Sequence, residues 1–188
     1  IRGMTYDVNE IINEVGLPCF VKPNAEGSSF GVTKVKETAQ LEDALKKAFA
    51  LCREVLVETF IDGTELTCGV VKAGDMDITM PIAEVIPKNE FFDFEAKYNP
   101  TKSDEIIPAR ISPELTKGIK TLSSMIYDIL RCEGIIRVDY IVREDEIFML
   151  EVNTTPGMTS NSFVPKMVRA MGGTLREVLT KIIDNKLN

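Results

Sequence analysis

The 188-residue chain has no histidine. That absence excludes Ser-His-Asp and Cys-His catalysis within the chain, and any histidine-ligated metal. Its four cysteines, Cys19, Cys52, Cys68 and Cys132, show no C-x-x-C spacing and sit among apolar residues. They read as buried, reduced thiols, which fits a cytoplasmic location. No apolar run approaches the roughly 18 residues needed to span a membrane, and no charged-then-apolar signal peptide opens the chain. Basic charge is not in excess, the net charge being −7. Nucleic acid is therefore not expected as a partner, because neutralising phosphates supplies most of that affinity. An anionic ligand would have to be held by local cations and a metal. Internal repeats and low-complexity segments are also missing. What is present, 44% hydrophobic and 27% charged residues, is typical of a soluble globular protein. The length suffices for one large domain or two small ones. The first residue is Ile1 rather than Met, so the chain is expected to be a piece of something longer.

Charge is concentrated with a pattern in two neighbouring runs, Arg137-Val138-Asp139 and Leu150-Glu151-Val152-Asn153-Thr154-Thr155-Pro156-Gly157-Met158. Arg137 and Asp139 share a face if their run is a strand, and so do Glu151 and Asn153. Between them lies a polar turn, Arg143-Glu144-Asp145-Glu146. If the two faces coincide, two carboxylates and an amide oxygen converge beside a guanidinium. Oxygen-only ligation suits Mg²⁺, which keeps some waters and often bridges to phosphates. The plain alternative is a hairpin whose charges form a solvated face. Facing of Asp139 and Glu151 requires either a three-residue turn or an even-length turn combined with a bulge.

The rest of the chain alternates helix and strand signals. Val8, Ile11, Ile12 and Val15 have helical spacing, stopped by Gly16. Cys19 to Val21 reads as a buried strand, followed by a Gly-Ser loop through Gly31 and a returning strand from Val32 to Val35. The lysine precedes this loop, so it is not the Walker pattern. Such a loop can close over phosphates or be merely an exposed hairpin. A helix from Leu41 to Cys52 and a buried strand Val55–Val57 follow. Next come an alternating strand from Thr64 to Val71 and another strand from Pro81 to Ile86. Residues 88–105 lack any period and read as a lid or binding loop. With the Gly27–Gly31 loop they are expected to be the least ordered segments without nucleotide. Ser112-Pro113 opens the longest helix, marked by Leu115, Ile119, Leu122, Ile126 and Ile129. Residues 162–171 read as helical, and the Thr174–Glu177 capping box opens a last helix with Leu175, Val178, Leu179, Ile182 and Ile183 inward. This order implies α+β: antiparallel sheets with helices packed on one side of each.

Several of these runs together resemble the D-alanine–D-alanine ligases, an ATP-grasp family. They are Phe20-Val21-Lys22-Pro23, Glu26-Gly27-Ser28-Ser29-Phe30-Gly31, Glu95-Ala96-Lys97-Tyr98, Arg137-Val138-Asp139 and Glu151 through Thr159. They occur in order over essentially the whole chain. The resemblance implies two sheets gripping ATP, with residues 1–60 as part of the small central subdomain and 61–188 as the carboxy-terminal domain. It implies ligation of two D-alanines through an acylphosphate, for peptidoglycan precursor synthesis. Asp139, Glu151 and Asn153 match the family's ligands for two Mg²⁺ or Mn²⁺ ions. Arg137 matches the residue neutralising the transferred phosphoryl group, and the Gly157 N–H lies where an oxyanion is stabilised. Lys22 and Lys97 match phosphate-binding lysines; Glu58 and Ile61 match the adenine hinge, and Glu65 is placed for the ribose. Ser162 and Phe163 match the site of the second D-alanine. Ser28 and Tyr98 match two members of a hydrogen-bonded triad whose third member lies outside this chain. Tyr98 favours the dipeptide product over D-alanyl-D-lactate, since depsipeptide ligases commonly have Phe there. Other ATP-grasp substrates, or nucleotide binding without catalysis, remain alternatives. The chain alone is expected to be inactive; its implied partners are ATP and D-alanine, with no membrane partner and a homodimer left open.

Overall fold

The computed structural model describes residues 1–25, 29–87 and 103–187. The chain divides into two compact units, one holding Ile1–Ile61 and the other Asp62–Ile86 with Glu105–Asn188.

In the first unit, α1 (Val8–Val15) starts at Asp7, whose carboxylate accepts the Asn9 and Glu10 N–H groups at 2.7 and 3.4 Å. It stops at Gly16, whose φ of 73° favours glycine. Strands β1 (Cys19–Pro23), β2 (Thr33–Val35) and β3 (Val55–Thr59) form an antiparallel sheet in the order β2-β1-β3. Helix α2 (Leu41–Leu51) packs Leu41, Ala44, Leu45 and Ala48 against Cys19, Val21 and Val35. β3 is less buried than expected and runs on to Thr59. Leu56 is 41% exposed because it pairs with Lys22, on the face opposite that core.

The second unit is built on six strands: β4 (Thr64–Ala73), β5 (Met76–Thr79), β6 (Ala83–Pro87), β7 (Ser103–Ile106), β8 (Gly134–Arg143) and β9 (Glu146–Asn153). Their order is β7-β6-β4-β8-β9, with β5 also on β4. Neither β5 nor β7 was expected; β7 starts within the stretch read as patternless and runs one residue past it. Among the described residues this unit has the helices α3 (Pro113–Ile129), between β7 and β8, and α4 (Phe163–Ala170) and α5 (Leu175–Leu187), after β9.

This sheet corrects the expectation of helices on one side only. Leu66, Cys68 and Val70 of β4 face a core shared with Ile119 and Tyr127 of α3. Val71 and Ala73 face another, shared with Val164, Met167 and Val168 of α4 and Val178 of α5. With helices on both faces, β4 is buried continuously from Leu66 to Val71. The buried line of α3 is Ile119, Ser123 and Tyr127, at i+4 steps, which leaves Ile129 73% exposed. Ser123 is tolerated there because its hydroxyl bonds the Ile119 carbonyl at 2.8 Å and the Tyr140 hydroxyl at 2.7 Å. On α5, Leu179 and Ile183 are 37% and 55% exposed, one residue round the helix from the inward Val178 and Ile182.

The cysteines are all free, but only Cys19 and Cys68 are buried, Cys52 and Cys132 being half-buried. Burial pushes the Cys68 thiol up to about 11, so it is no nucleophile. Among the described residues no helix is long and apolar enough to cross a membrane.

One buried charge pins the β6 end of the sheet. Glu84 is 7% exposed and accepts from Arg110 Nε at 3.0 Å, Nη2 at 2.6 Å and backbone N at 3.1 Å. The Arg110 hydrogen bonds hold its carboxyl below the ordinary carboxylate value, against the opposing effect of burial. A depressed folded-state pKa contributes stability above the unfolded pKa and loses it as pH falls through the folded one. Glu84→Gln should therefore cost roughly 1–2 kcal/mol at pH 7. In urea titrations across pH 7 to 3, the gap to wild type should close below about pH 4.

Candidate active site

The site begins with the register of the β8–β9 hairpin. Arg143 pairs with Glu146, so the turn is the two-residue Glu144-Asp145. Their φ values of 50° and 69° suit the type I′ turn that matches strand twist. Pairing continues regularly to Tyr140 opposite Met149, then shifts at a bulge. Beyond it Asp139 faces Glu151 and Arg137 faces Asn153, with Leu150 the extra residue. The even turn with a bulge is thus the arrangement adopted.

Four polar side chains meet on this face. Arg137 donates from Nε to Asp139 Oδ1 and from Nη2 to Oδ2, both at 2.8 Å. Asn153 Nδ2 donates to Asp139 Oδ2 at 3.1 Å and to Glu151 Oε1 at 3.4 Å. A contribution not anticipated from sequence comes from β4. Thr67 pairs with Asp139, and its hydroxyl donates to Oδ1 at 2.6 Å. Asp139 therefore holds four donors, the usual capacity of a carboxylate. Gly69 pairs with Arg137, and a Cβ there would lie 2.6 Å from Met80 Sδ. Burial works against the Arg137 charge, but the hydrogen bonds and charge of Asp139, with the fields of Glu151 and Glu105, outweigh it and raise its pKa. Arg137 is a permanent cation.

Beside it lies the start of α4. The Arg137 guanidinium sits 5.4 Å from the centre of the Phe163 ring. Ser162 is the N-cap residue, and its hydroxyl is 2.9 Å from that of Thr159. A Cβ on Gly157 would come within 2.8 Å of Ser162 Oγ, so glycine admits this hydroxyl against the backbone. Glu65 is half-buried and, two residues before Thr67 on β4, shares its face.

The first unit has its own polar face. Lys22 Nζ is 2.8 Å from Glu58 Oε2. Next to them Lys34 Nζ lies 3.7 Å from the centre of the Phe60 ring, and Phe20 meets that ring edge-on at 5.8 Å. Ile61 is half-buried at the end of this unit. Ser28, Lys97 and Tyr98, and most of the expected loop 88–105, lie outside the described residues.

The second unit's donor set fits a hard divalent cation. Asn153 Nδ2 already stands between the two carboxylates, the position suited to a cation. Turning the amide presents its oxygen instead. Among the described residues no group of three or more His, Cys, Asp or Glu side chains is arranged for a metal. Two carboxylates and an amide leave coordination to be completed by water and phosphate oxygens, as Mg²⁺ prefers.

Residues 3–184 match the protein family described as D-ala D-ala ligase C-terminus. The chain belongs to this family. It is 55% identical over 186 residues to a D-alanine–D-alanine ligase of Bacteroides fragilis, covering 98% of this chain and 57% of that one. It superposes on the VanG D-Ala:D-Ser ligase of Enterococcus faecalis with a TM-score of 0.80, at 38% identity, covering 94% of this chain and 51% of that one. Against the D-alanine–D-alanine ligase of Bacillus anthracis complexed with ATP the TM-score is 0.79 at 32% identity, covering 98% and 58%. This D-ala D-ala ligase C-terminus chain thus spans a little over half the length of its relatives. Its α+β architecture is the ATP-grasp fold.

Thr67 could have been found in this ligase-family chain from the alternation of β4, since Glu65, Thr67 and Gly69 are the positions between the apolar ones. The Glu105–Lys166 pair, 61 residues apart, had no such signal. Thr67→Val should remove one of the four donors on Asp139 and cost about 0.5–1.5 kcal/mol in chemical denaturation, with secondary structure unchanged by circular dichroism.

Proposed function

We propose that the full-length protein is an ATP-dependent D-alanine–D-alanine ligase serving peptidoglycan precursor synthesis. The observation that carries this reading is the meeting of Arg137, Asp139, Glu151 and Asn153 beside Ser162 and Phe163, in a chain of this family. Residues 1–60 then belong to the central subdomain and 61–188 to the carboxy-terminal domain.

In the first step a carboxylate oxygen of one D-alanine attacks the γ-phosphorus of ATP; the bond to the β,γ-bridging oxygen breaks, and ADP leaves. Negative charge spreads over the phosphoryl oxygens, so catalysis rests on placed positive charge rather than on a protein nucleophile. Arg137 supplies a fixed guanidinium for that charge. Lys22 and Lys97 hold phosphates, Glu58 and Ile61 meet adenine, and Glu65 takes the ribose hydroxyls. Asp139, Glu151 and Asn153 would hold Mg²⁺ or Mn²⁺, two ions in all, which supply charge neutralisation on the phosphates. In the second step the neutral amine of a second D-alanine, held by Ser162 and Phe163, attacks the acylphosphate carbonyl. The Gly157 N–H stabilises the oxyanion, phosphate leaves, and the amine loses a proton. Ser28 and Tyr98 close the hydrogen-bonded network over the site.

A D-serine acceptor is the second reading, favoured by the likeness to the VanG ligase. The 55% identity to the D-alanine–D-alanine ligase of Bacteroides fragilis supports D-alanine, while Tyr98 bears only on the choice of an amine over D-lactate. The test is a product assay on the full-length protein with ATP, Mg²⁺ and D-alanine. One phosphate should appear per D-alanyl-D-alanine formed, and Arg137→Met should lower kcat by about 100-fold or more. Phosphate release that does not depend on D-alanine, or a product made faster with D-serine, would contradict the assignment.

A further inference from the structure

Glu105 on β7 and Lys166 on α4 have no part in the reaction as described, yet they form a covered ion pair. Lys166 Nζ is 2.6 Å from Glu105 Oε2, with side chains only 32% and 20% exposed. Lys46 with Glu42 or Asp43, and Lys186 with Glu133, pair more than half exposed. A covered pair gives up hydration on both partners, so it is a costly way to gain stability alone. It does fix geometry.

What it fixes is the first turn of α4. Ser162 makes no side-chain capping bond to that turn, its hydroxyl being engaged with Thr159. The turn is held instead by the burial of Val164 and Pro165 and by Lys166. Lys166 lies four residues after Ser162 and three after Phe163, so all three share one side of the helix. The Phe163 ring stacks on the Arg137 guanidinium, and the charge of Glu105 acts on that same guanidinium. Arg137, Phe163, Lys166 and Glu105 thus link β8, α4 and β7 through the ring contact, the first turn of α4 and the ion pair.

We infer that Glu105 and Lys166 are positioning residues for the acceptor end of the site: they hold Ser162 and Phe163 against Arg137, and set affinity for the second amino acid rather than for nucleotide. The inference rests on the ligase reading for its substrate, but not for its geometry.

The test uses the full-length protein with Lys166→Met, Glu105→Gln, both together, and Lys166→Arg. Each single change should raise the KM for the second D-alanine about 5- to 20-fold. The ATP KM should stay within about twofold, the double variant should be no worse than the worse single one, and Lys166→Arg should recover most of the loss. Equal rises in both KM values, or unchanged KM values with a lower Tm, would overturn the inference by reducing the pair to a structural clip. Amide exchange supplies a readout independent of activity. Glu105→Gln should speed exchange at residues 166–168 about tenfold while leaving the middle of α3 unchanged. If the wild type makes no dipeptide, the ligase reading fails, and exchange still decides the positioning role: faster exchange confined to α4 upholds it and unchanged exchange overturns it.

Discussion

The arrangement of the second unit depends on the single extra residue in β9. With the two-residue turn Glu144-Asp145, uninterrupted pairing would set Asp139 against Leu150 and Val138 against Glu151. Because facing residues share a side, Glu151 would then project with Val138 into the apolar core beneath α3. An unpaired carboxylate there would cost several kcal/mol. The bulge at Leu150 returns Glu151 to the side of Asp139, and Val152 to the side of Val138, where it packs against that core. Hydrophobic pattern and charge pattern both require the same shift, so the register is strongly specified.

The site is then the polar end of a face whose other end is core. Along β8, Ile135 packs against α4, and Arg137 and Asp139 follow on the same side. Charge is arranged there in a way that anticipates exchange of partners. Asp139 is held by Arg137, Thr67 and Asn153, while Glu151 is exposed and meets only the long contact from Asn153 among the bonds described. An incoming cation would exchange weak amide contacts for strong ionic ones, and an incoming phosphoryl group would offer the guanidinium a second anion. Asp139 can thus be fully hydrogen-bonded before ligands arrive while Glu151 stays open to them.

Much of this was legible in the sequence. The period-two spacing of Arg137 with Asp139 and of Glu151 with Asn153, and the parity argument for a bulge, came from local chemistry alone. So did the Ser112 and Thr174 helix starts, each now seen as a side-chain cap. The misreadings have physical causes. β4 alternates through Val70, because its other face carries Glu65, Thr67 and Gly69, so the second helical layer is signalled only by Val71 and Ala73. Inward stripes on α3 and α5 were placed by hydrophobicity, but Ser123 and Tyr127 are buried because their hydroxyls find partners. β7 carries no recognisable period, and the Glu105–Lys166 pair joins distant segments.

The most direct test of the central claim, that Asp139 and Glu151 are brought to one face to share a cation, is a double-mutant cycle on Mn²⁺ affinity. Full-length protein with a non-hydrolysable ATP analogue would be titrated, and free Mn²⁺ read by electron paramagnetic resonance, for wild type, Asp139→Asn, Glu151→Gln and the double variant. Shared ligation predicts that each single change weakens Mn²⁺ by about tenfold or more, and that the double variant is little weaker than the worse single one. Losses that simply multiply, or a Glu151→Gln variant with unaltered affinity, would show that the two carboxylates do not hold one ion and would contradict the account.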